Sequence, residues 1–131
     1  MTDIDSDTYF DSLALNTGDT VTMSIALTGE TSGTVVIIDE TTGDSASAVI
    51  STAGGSCMSY VQWMVTSYYY DGDALADFGT VTFTNAQAGT TSGFDAGPGD
   101  SEAVLWGIEY NGQIYTSTTV SGEYTMEVTY V

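Results

Sequence analysis

No lysine, arginine or histidine occurs among the 131 residues, against eighteen aspartates and glutamates, so the formal charge at pH 7 is −18. That absence removes whole classes of chemistry. A Ser-His-Asp triad, a Cys-His pair, a Ser-Lys dyad and a lysine Schiff base each need a side chain this sequence lacks. A Walker loop would have no lysine, and a histidine-ligated zinc site cannot be built. Nothing can neutralise phosphate, which sets aside nucleic acid and anionic membrane surfaces as partners. Asp77-Phe78-Gly79 spells a kinase tripeptide, but no phosphate-binding lysine accompanies it. Any proton transfer must run through carboxylates, carboxamides, hydroxyls or a bound metal.

Other absences narrow the class further. Cys57 is the single cysteine, so no internal disulfide forms; it is a small buried apolar residue or a partner for another chain. No run of 18 apolar residues offers a membrane helix. The opening Met1-Thr2-Asp3-Ile4-Asp5-Ser6-Asp7 is acidic and lacks the apolar stretch of a signal peptide. Hydrophobic residues nevertheless make up 42%, too many for a disordered acidic tail, so the chain folds. Its length fits one domain over residues 1–131, with 1–8 as a flexible acidic arm or an added edge strand.

What is present repeats with period two, the strand signature. Large apolar residues alternate in Val21-Thr22-Met23-Ser24-Ile25-Ala26-Leu27, and Val81 and Phe83 alternate with Thr80, Thr82 and Thr84. Val104, Trp106 and Ile108 form a third such run, and Tyr124, Met126, Val128 and Tyr130 a fourth. Further strands are expected near 9–15, 34–39, 45–51, 58–67 and 113–120. Asn111-Gly112 between Tyr110 and Gln113 is a two-residue hairpin signal of type I′. Residues 85–100, with the lone Pro98, read as the longest loop. No segment carries a helical apolar stripe. About nine short strands with close turns imply an all-β, antiparallel β-sandwich.

Leu75-Ala76-Asp77-Phe78-Gly79-Thr80-Val81-Thr82-Phe83-Thr84-Asn85-Ala86 resembles a strand-and-turn signature of the eqolisin, or glutamic peptidase, family. Cys57 followed by Val61-Gln62-Trp63-Met64-Val65 is similar to that family's Cys…Ala-Glu-Trp-Ile-Val stretch. Thr17-Gly18-Asp19-Thr20-Val21, Ile108-Glu109-Tyr110-Asn111-Gly112 and the closing Val120-Ser121-Gly122…Val128-Thr129-Tyr130-Val131 extend the likeness over nearly the whole chain in consistent order. The resemblance implies a secreted acid endopeptidase fold of two packed sheets, with a glutamate as general base and a glutamine that helps hold the oxyanion. It also implies two departures. Gln62 stands where the family has its catalytic glutamate. The family's N-terminal half, which supplies the catalytic glutamine, has no counterpart, so the chain corresponds to the C-terminal half.

A carboxamide oxygen is far too weakly basic to take a proton, and losing a general base costs about 10²–10⁴ in rate. Along an extended strand Gln62 shares a face with Tyr60 and Met64, a relic of a substrate face or an anchor for a partner; an ordinary sheet-surface glutamine is the plain alternative. Tyr68, Tyr69 and Tyr70 follow, and three consecutive bulky rings cannot all face one core, so they extend the candidate partner face. Asp71, Asp73 and Asp77 crowd one turn and offer a weak Ca2+ site, the single cofactor this sequence suggests. Asp3, Asp5 and Asp7 open like a calcium loop, but Thr8 and Ala14 occupy positions that need glycine and glutamate. Glu109 and Glu127 fall on the polar phase of their strands and read as solvated.

These features point to a non-catalytic, secreted sandwich that works by self-assembly or protein binding, through strand edges left open without the N-terminal half. The partner is a second copy or a separate N-terminal half. One chain of an acid endopeptidase completed by such a partner is the enzymatic alternative, and a carbohydrate-binding module resting on aromatics such as Trp63 and Trp106 is a third.

Charge of one sign also predicts a pH response. Mutual repulsion raises folded carboxylate pKa values above their unfolded values of about 4. Raised values give stability that is full below the unfolded pKa and fades as pH climbs through the folded one. The melting temperature in low salt is therefore expected to fall between pH 4 and pH 8; thermal scans that stay flat or rise over that range would remove the argument for an acidic setting.

Overall fold

The computed structural model describes residues 10–51, 54, 60–66 and 75–131, and among these ten strands form and no helix does. The chain divides into two compact units, Met1–Ser59 and Tyr60–Val131.

In the first unit, β1 (Val21–Leu27), β2 (Ser32–Asp39) and β3 (Ser45–Ser51) form an antiparallel meander in that order. Opposed residues share a face, so the register sorts the side chains. Met23 lies opposite Ile37 and Ala46, Ile25 opposite Val35 and Ala48, and Leu27 opposite Gly33 and Ile50, which makes one face apolar. Thr22, Ser24, Thr34, Ser45 and Ser47 populate the other, with Val36, Ile38 and Val49 among them. The β2–β3 turn is built on Asp39, which is fully buried. Its Oδ1 accepts the backbone N–H of Thr41 at 2.8 Å, and its Oδ2 accepts the Thr42 hydroxyl at 3.0 Å. Burial alone would push the Asp39 carboxyl up, but these donors together hold it below the ordinary aspartate range.

The second unit opens with β4 (Thr80–Phe83) and the short ribbon of β5 (Ala88–Gly89) and β6 (Asp95–Ala96). A second ribbon pairs β7 (Glu109–Tyr110) with β8 (Gln113–Ile114), and β9 (Thr116–Val120) and β10 (Met126–Tyr130) complete the chain. The main sheet has the order β4-β10-β9, so β10 is central and its Met126 and Val128 are buried, with Leu75 and Ala86. Tyr130 packs edge-on against Phe78, ring centroids 6.0 Å apart. On the far face Thr80 and Thr129 join their hydroxyls at 3.1 Å. Asn111 and Gly112 carry φ of 53° and 77°, the paired positive values that a type I′ hairpin demands.

Several expected elements differ. Residues 10–15 form turns, tied by the Leu13 N–H to the Phe10 carbonyl at 2.9 Å, instead of a strand. Described residues 60–66 and 104–108 join no ladder. Over 104–108, threonine hydroxyls of β9 accompany one backbone bond, from the Tyr115 N–H to the Ile108 carbonyl at 2.8 Å. Thr116 Oγ1 accepts the Ile108 N–H at 2.7 Å, and Thr118 Oγ1 donates to the Trp106 carbonyl at 3.1 Å. The long loop 85–100 is also more ordered than its composition suggests. Gly97 and Gly99 press against the β9–β10 turn so closely that an added Cβ would sit 2.3 Å from the Glu123 and Gly122 carbonyl oxygens respectively. Only glycine fits that approach.

Two methionines separate buried from exposed surface cleanly. Met126 is 5% exposed and Met23 is 66% exposed. In urea titrations Met126→Ala is expected to cost about 2–5 kcal/mol, and Met23→Ala to stay within about 0.5 kcal/mol of the parent.

Candidate functional site

The apolar side of β9 and β10 would leave Met126, Val128, Thr116 and Thr118 facing solvent if nothing covered it. Two segments, 60–66, which joins no ladder, and 94–108, which carries β6 near its start, line a groove of about 820 Å³ with them. That lies within the range of small-molecule and peptide pockets, roughly 300–1,000 Å³. Gln62 lines the groove. Burial alternates from Gln62 to Thr66, with Trp63 and Val65 half-buried and Gln62, Met64 and Thr66 exposed, whereas Tyr60 and Val61 are both exposed. Tyr60, Gln62 and Met64 line the groove, and so do the residues between them, Val61 and Trp63. Among the described residues none donates to or accepts from the Gln62 carboxamide.

The rest of the lining includes Trp106, which the sequence offered only as an aromatic of the carbohydrate-binding alternative. Trp106 and Val104 belong to an alternating run, yet they are 81% and 72% exposed. Phe94 adds a third exposed apolar side chain. The titratable groups of the lining are Asp100 and Glu102, together with the Tyr60 phenol. Asp100 Oδ1 accepts the Glu102 N–H at 3.1 Å, which fixes the turn that carries both carboxylates.

Beside this lining lies a cluster that no sequence signal announces. Tyr124 donates its phenolic hydrogen to Asp95 Oδ2 at 2.5 Å, and Gln87 Nε2 donates to the same oxygen at 2.9 Å. The three residues come from the β9–β10 turn, β6 and the loop before β5, and 29 residues separate the first two. The Tyr124 bond first, and the Gln87 bond second, hold the Asp95 carboxyl below its ordinary range. Accepting from Tyr124 in return pushes the phenol well above the usual tyrosine value, with burial and Glu123 adding to the effect.

Other expectations divide. Tyr68, Tyr69, Tyr70, Asp71 and Asp73 lie outside the described residues, as do Cys57 and the acidic opening. Asp77 is described, and its Oδ1 accepts the Gly79 N–H at 2.9 Å, a turn contact at a residue whose φ is 68°. Among the described residues no three carboxylates converge as a metal site would require. Glu109 and Glu127 are exposed.

The family model described as the peptidase A4 family matches residues 2–130. Aspergillopepsin-2 of Aspergillus niger is 37% identical over 127 residues, which take in 93% of this chain and 43% of that protein. The chain therefore spans less than half the length of this curated relative. The crystal structure of aspergilloglutamic peptidase from Aspergillus niger aligns with a TM-score of 0.80 at 36% identity, over 93% of this chain and 72% of that one. Scytalido-glutamic peptidase, solved with a peptide-based transition state analogue, aligns with a TM-score of 0.66 at 23% identity, over 91% of this chain and 62% of that one. The all-β, antiparallel architecture is that of the glutamic peptidase β-sandwich.

The Asp95 cluster makes its own prediction. A depressed folded pKa contributes stability above the unfolded value, lost as pH falls through the folded one. Tyr124→Phe removes the leading cause, so the Asp95 titration followed by carboxyl NMR is expected to move up toward 3.8, with acid unfolding beginning at higher pH.

Proposed function

The chain belongs to the peptidase A4 family, and from that premise we propose that it is a non-catalytic member that binds polypeptide in the groove and does not cut it. One observation carries the reading: the groove wall presents Gln62, a carboxamide, at the position that the family resemblance gives to the general base. Peptide hydrolysis by water needs a group that accepts the water's proton near the working pH. Gln62 cannot do so, no histidine or lysine exists to replace it, and the carboxylates of the lining, Asp100 and Glu102, sit on a different segment, where Asp100 Oδ1 is engaged by the Glu102 N–H. The groove keeps what binding needs, namely exposed rings, an apolar floor and a few polar groups. Absence of lysine and arginine also denies cation-directed proteases a cleavage site, which suits secretion into an acidic setting.

Coverage of 43% of aspergillopepsin-2 favours a second reading, in which another polypeptide completes an acid endopeptidase. That assembly would need its base from a residue other than Gln62.

Incubation of the chain with an unfolded protein at pH 3–4, followed by mass spectrometry, is expected to release no peptides. Cleavage by the unaltered chain alone would overturn the non-catalytic reading. Gln62→Glu restores a carboxylate at that position, and a rise of about 10²–10⁴ in any residual cleavage is the measure of the missing base.

A further inference from the structure

Resting on the binding reading above, we infer that the groove takes a polypeptide segment in which arginine sits beside apolar side chains. The inference stands on what the lining combines. Trp106 is 81% exposed and Tyr60 78% exposed, and both border the groove. Aromatic faces open to solvent are platforms for a guanidinium, which is planar, weakly hydrated and attracted to the ring quadrupole. Asp100 and Glu102 supply negative charge within the same lining, and Asp95 lies next to Phe94 and Ala96, which also border it. Exposed aromatic faces and carboxylates in one lining combine the two attractions that a guanidinium responds to. Met64 and Phe94, 60% and 63% exposed, together with the buried floor of Met126 and Val128, leave apolar surface for neighbouring side chains.

Charge decides between occupants. A second copy brings eighteen more carboxylates and no basic side chain, so like charge opposes its approach at neutral pH. An acidic segment meets the same opposition, and a neutral apolar segment gains nothing from Asp100 and Glu102. An arginine-bearing segment is drawn in by the field of the whole molecule and then held by the groove. Its advantage must shrink with salt, because the screening length falls from about 10 Å at 0.1 M to about 3 Å at 1 M.

The test uses three peptides with one apolar centre, flanked by arginine, glutamine or glutamate. Binding to the full chain is followed at pH 6.5 and 20 mM salt by tryptophan fluorescence and by calorimetry. The arginine peptide is expected to bind at least about tenfold more tightly than the glutamine peptide, in line with electrostatic steering of 10-fold or more. The glutamate peptide should bind weakest, and the three should converge at 1 M salt. Trp106→Leu, and separately Asp100→Asn with Glu102→Gln, should each reduce the arginine preference several-fold. A matched pair at two surface carboxylates of the other unit, Glu30→Gln with Asp44→Asn, should not. Equal binding of the arginine and glutamine peptides would overturn the inference. So would an arginine preference that all three variants lower equally, since net charge and not the groove would then be responsible. Dimerisation of the free chain under these conditions, seen by light scattering, would also overturn it. Cleavage of a bound peptide, read by mass spectrometry, would instead sink the non-catalytic reading and leave the arginine preference standing.

Discussion

Every polar contact in this molecule has to be made without a cationic side chain. A carboxylate elsewhere would pair with arginine or lysine; here it can be satisfied only by neutral donors, and the described residues show how that is done. Asp39 takes the N–H groups of Thr41 and Thr42 and the Thr42 hydroxyl. Asp19 takes the Asn16 N–H at 2.7 Å, and Asp100 takes the N–H of Glu102. Asp95 uses a phenol and a carboxamide. Most of these are local turn contacts, which explains why threonine, asparagine and glycine crowd the hairpins: they supply the donors and the conformations that salt bridges cannot. The Asp95 cluster is the exception, since it fastens the β5–β6 ribbon to the β9–β10 turn across 29 residues.

That division between local and distant contacts also sets what could be read from the sequence. The Asn111-Gly112 hairpin was legible because a type I′ turn demands positive φ at two adjacent residues, and few residue pairs tolerate it. β1, β2 and β3 were legible because apolar alternation and short turns coincide there. The same alternation over 58–67 and 104–108 misled for 60–66 and 104–108, since period two reports which way side chains point and is silent on whether a neighbouring strand exists to pair with. Trp106 shows the consequence. Its alternation with Val104 and Ile108 suggested a covered face, and its exposure makes it a groove wall. Tyr60, Gln62 and Met64 line the groove together with the rest of 60–66, so the lining does not separate the face that extended-chain geometry gives them. Gln87, Asp95 and Tyr124 gave no signal, because neutral donors and a lone aspartate in a loop look like ordinary surface.

Two electrostatic effects of opposite sign act on the same eighteen carboxylates. A net charge of −18 opposes the compact state at neutral pH through self-repulsion, which acid relieves. Hydrogen bonding at Asp39 and Asp95 favours the ionised form and sets a limit at the acid end. Stability should then be greatest in a window just above the folded pKa values of those two groups, since there they remain ionised while much of the general repulsion has been relieved. The groove lies in the unit that holds Asp95, and Phe94 and Ala96, the residues flanking it, are part of the groove lining. Holding Asp95 ionised therefore keeps one border of the groove anchored under acidic conditions.

The neutral donors give this arrangement a property that salt bridges would not. Hydroxyls, carboxamides and backbone N–H groups keep their protons throughout the acid range, so acidification changes only the acceptor side of each contact. Two such acceptors are Asp39, at the β2–β3 turn, and Asp95, in β6. The cost appears at the site of chemistry. On the non-catalytic reading proposed for Gln62, a chain without basic side chains has no histidine or lysine to stand in for a general base, and Asp100 and Glu102 are the carboxylates that remain in the groove lining. What survives is a shaped, apolar, negatively charged groove. Such a groove recognises opposite charge and apolar surface as well without the base as with it, because neither attraction depends on moving a proton.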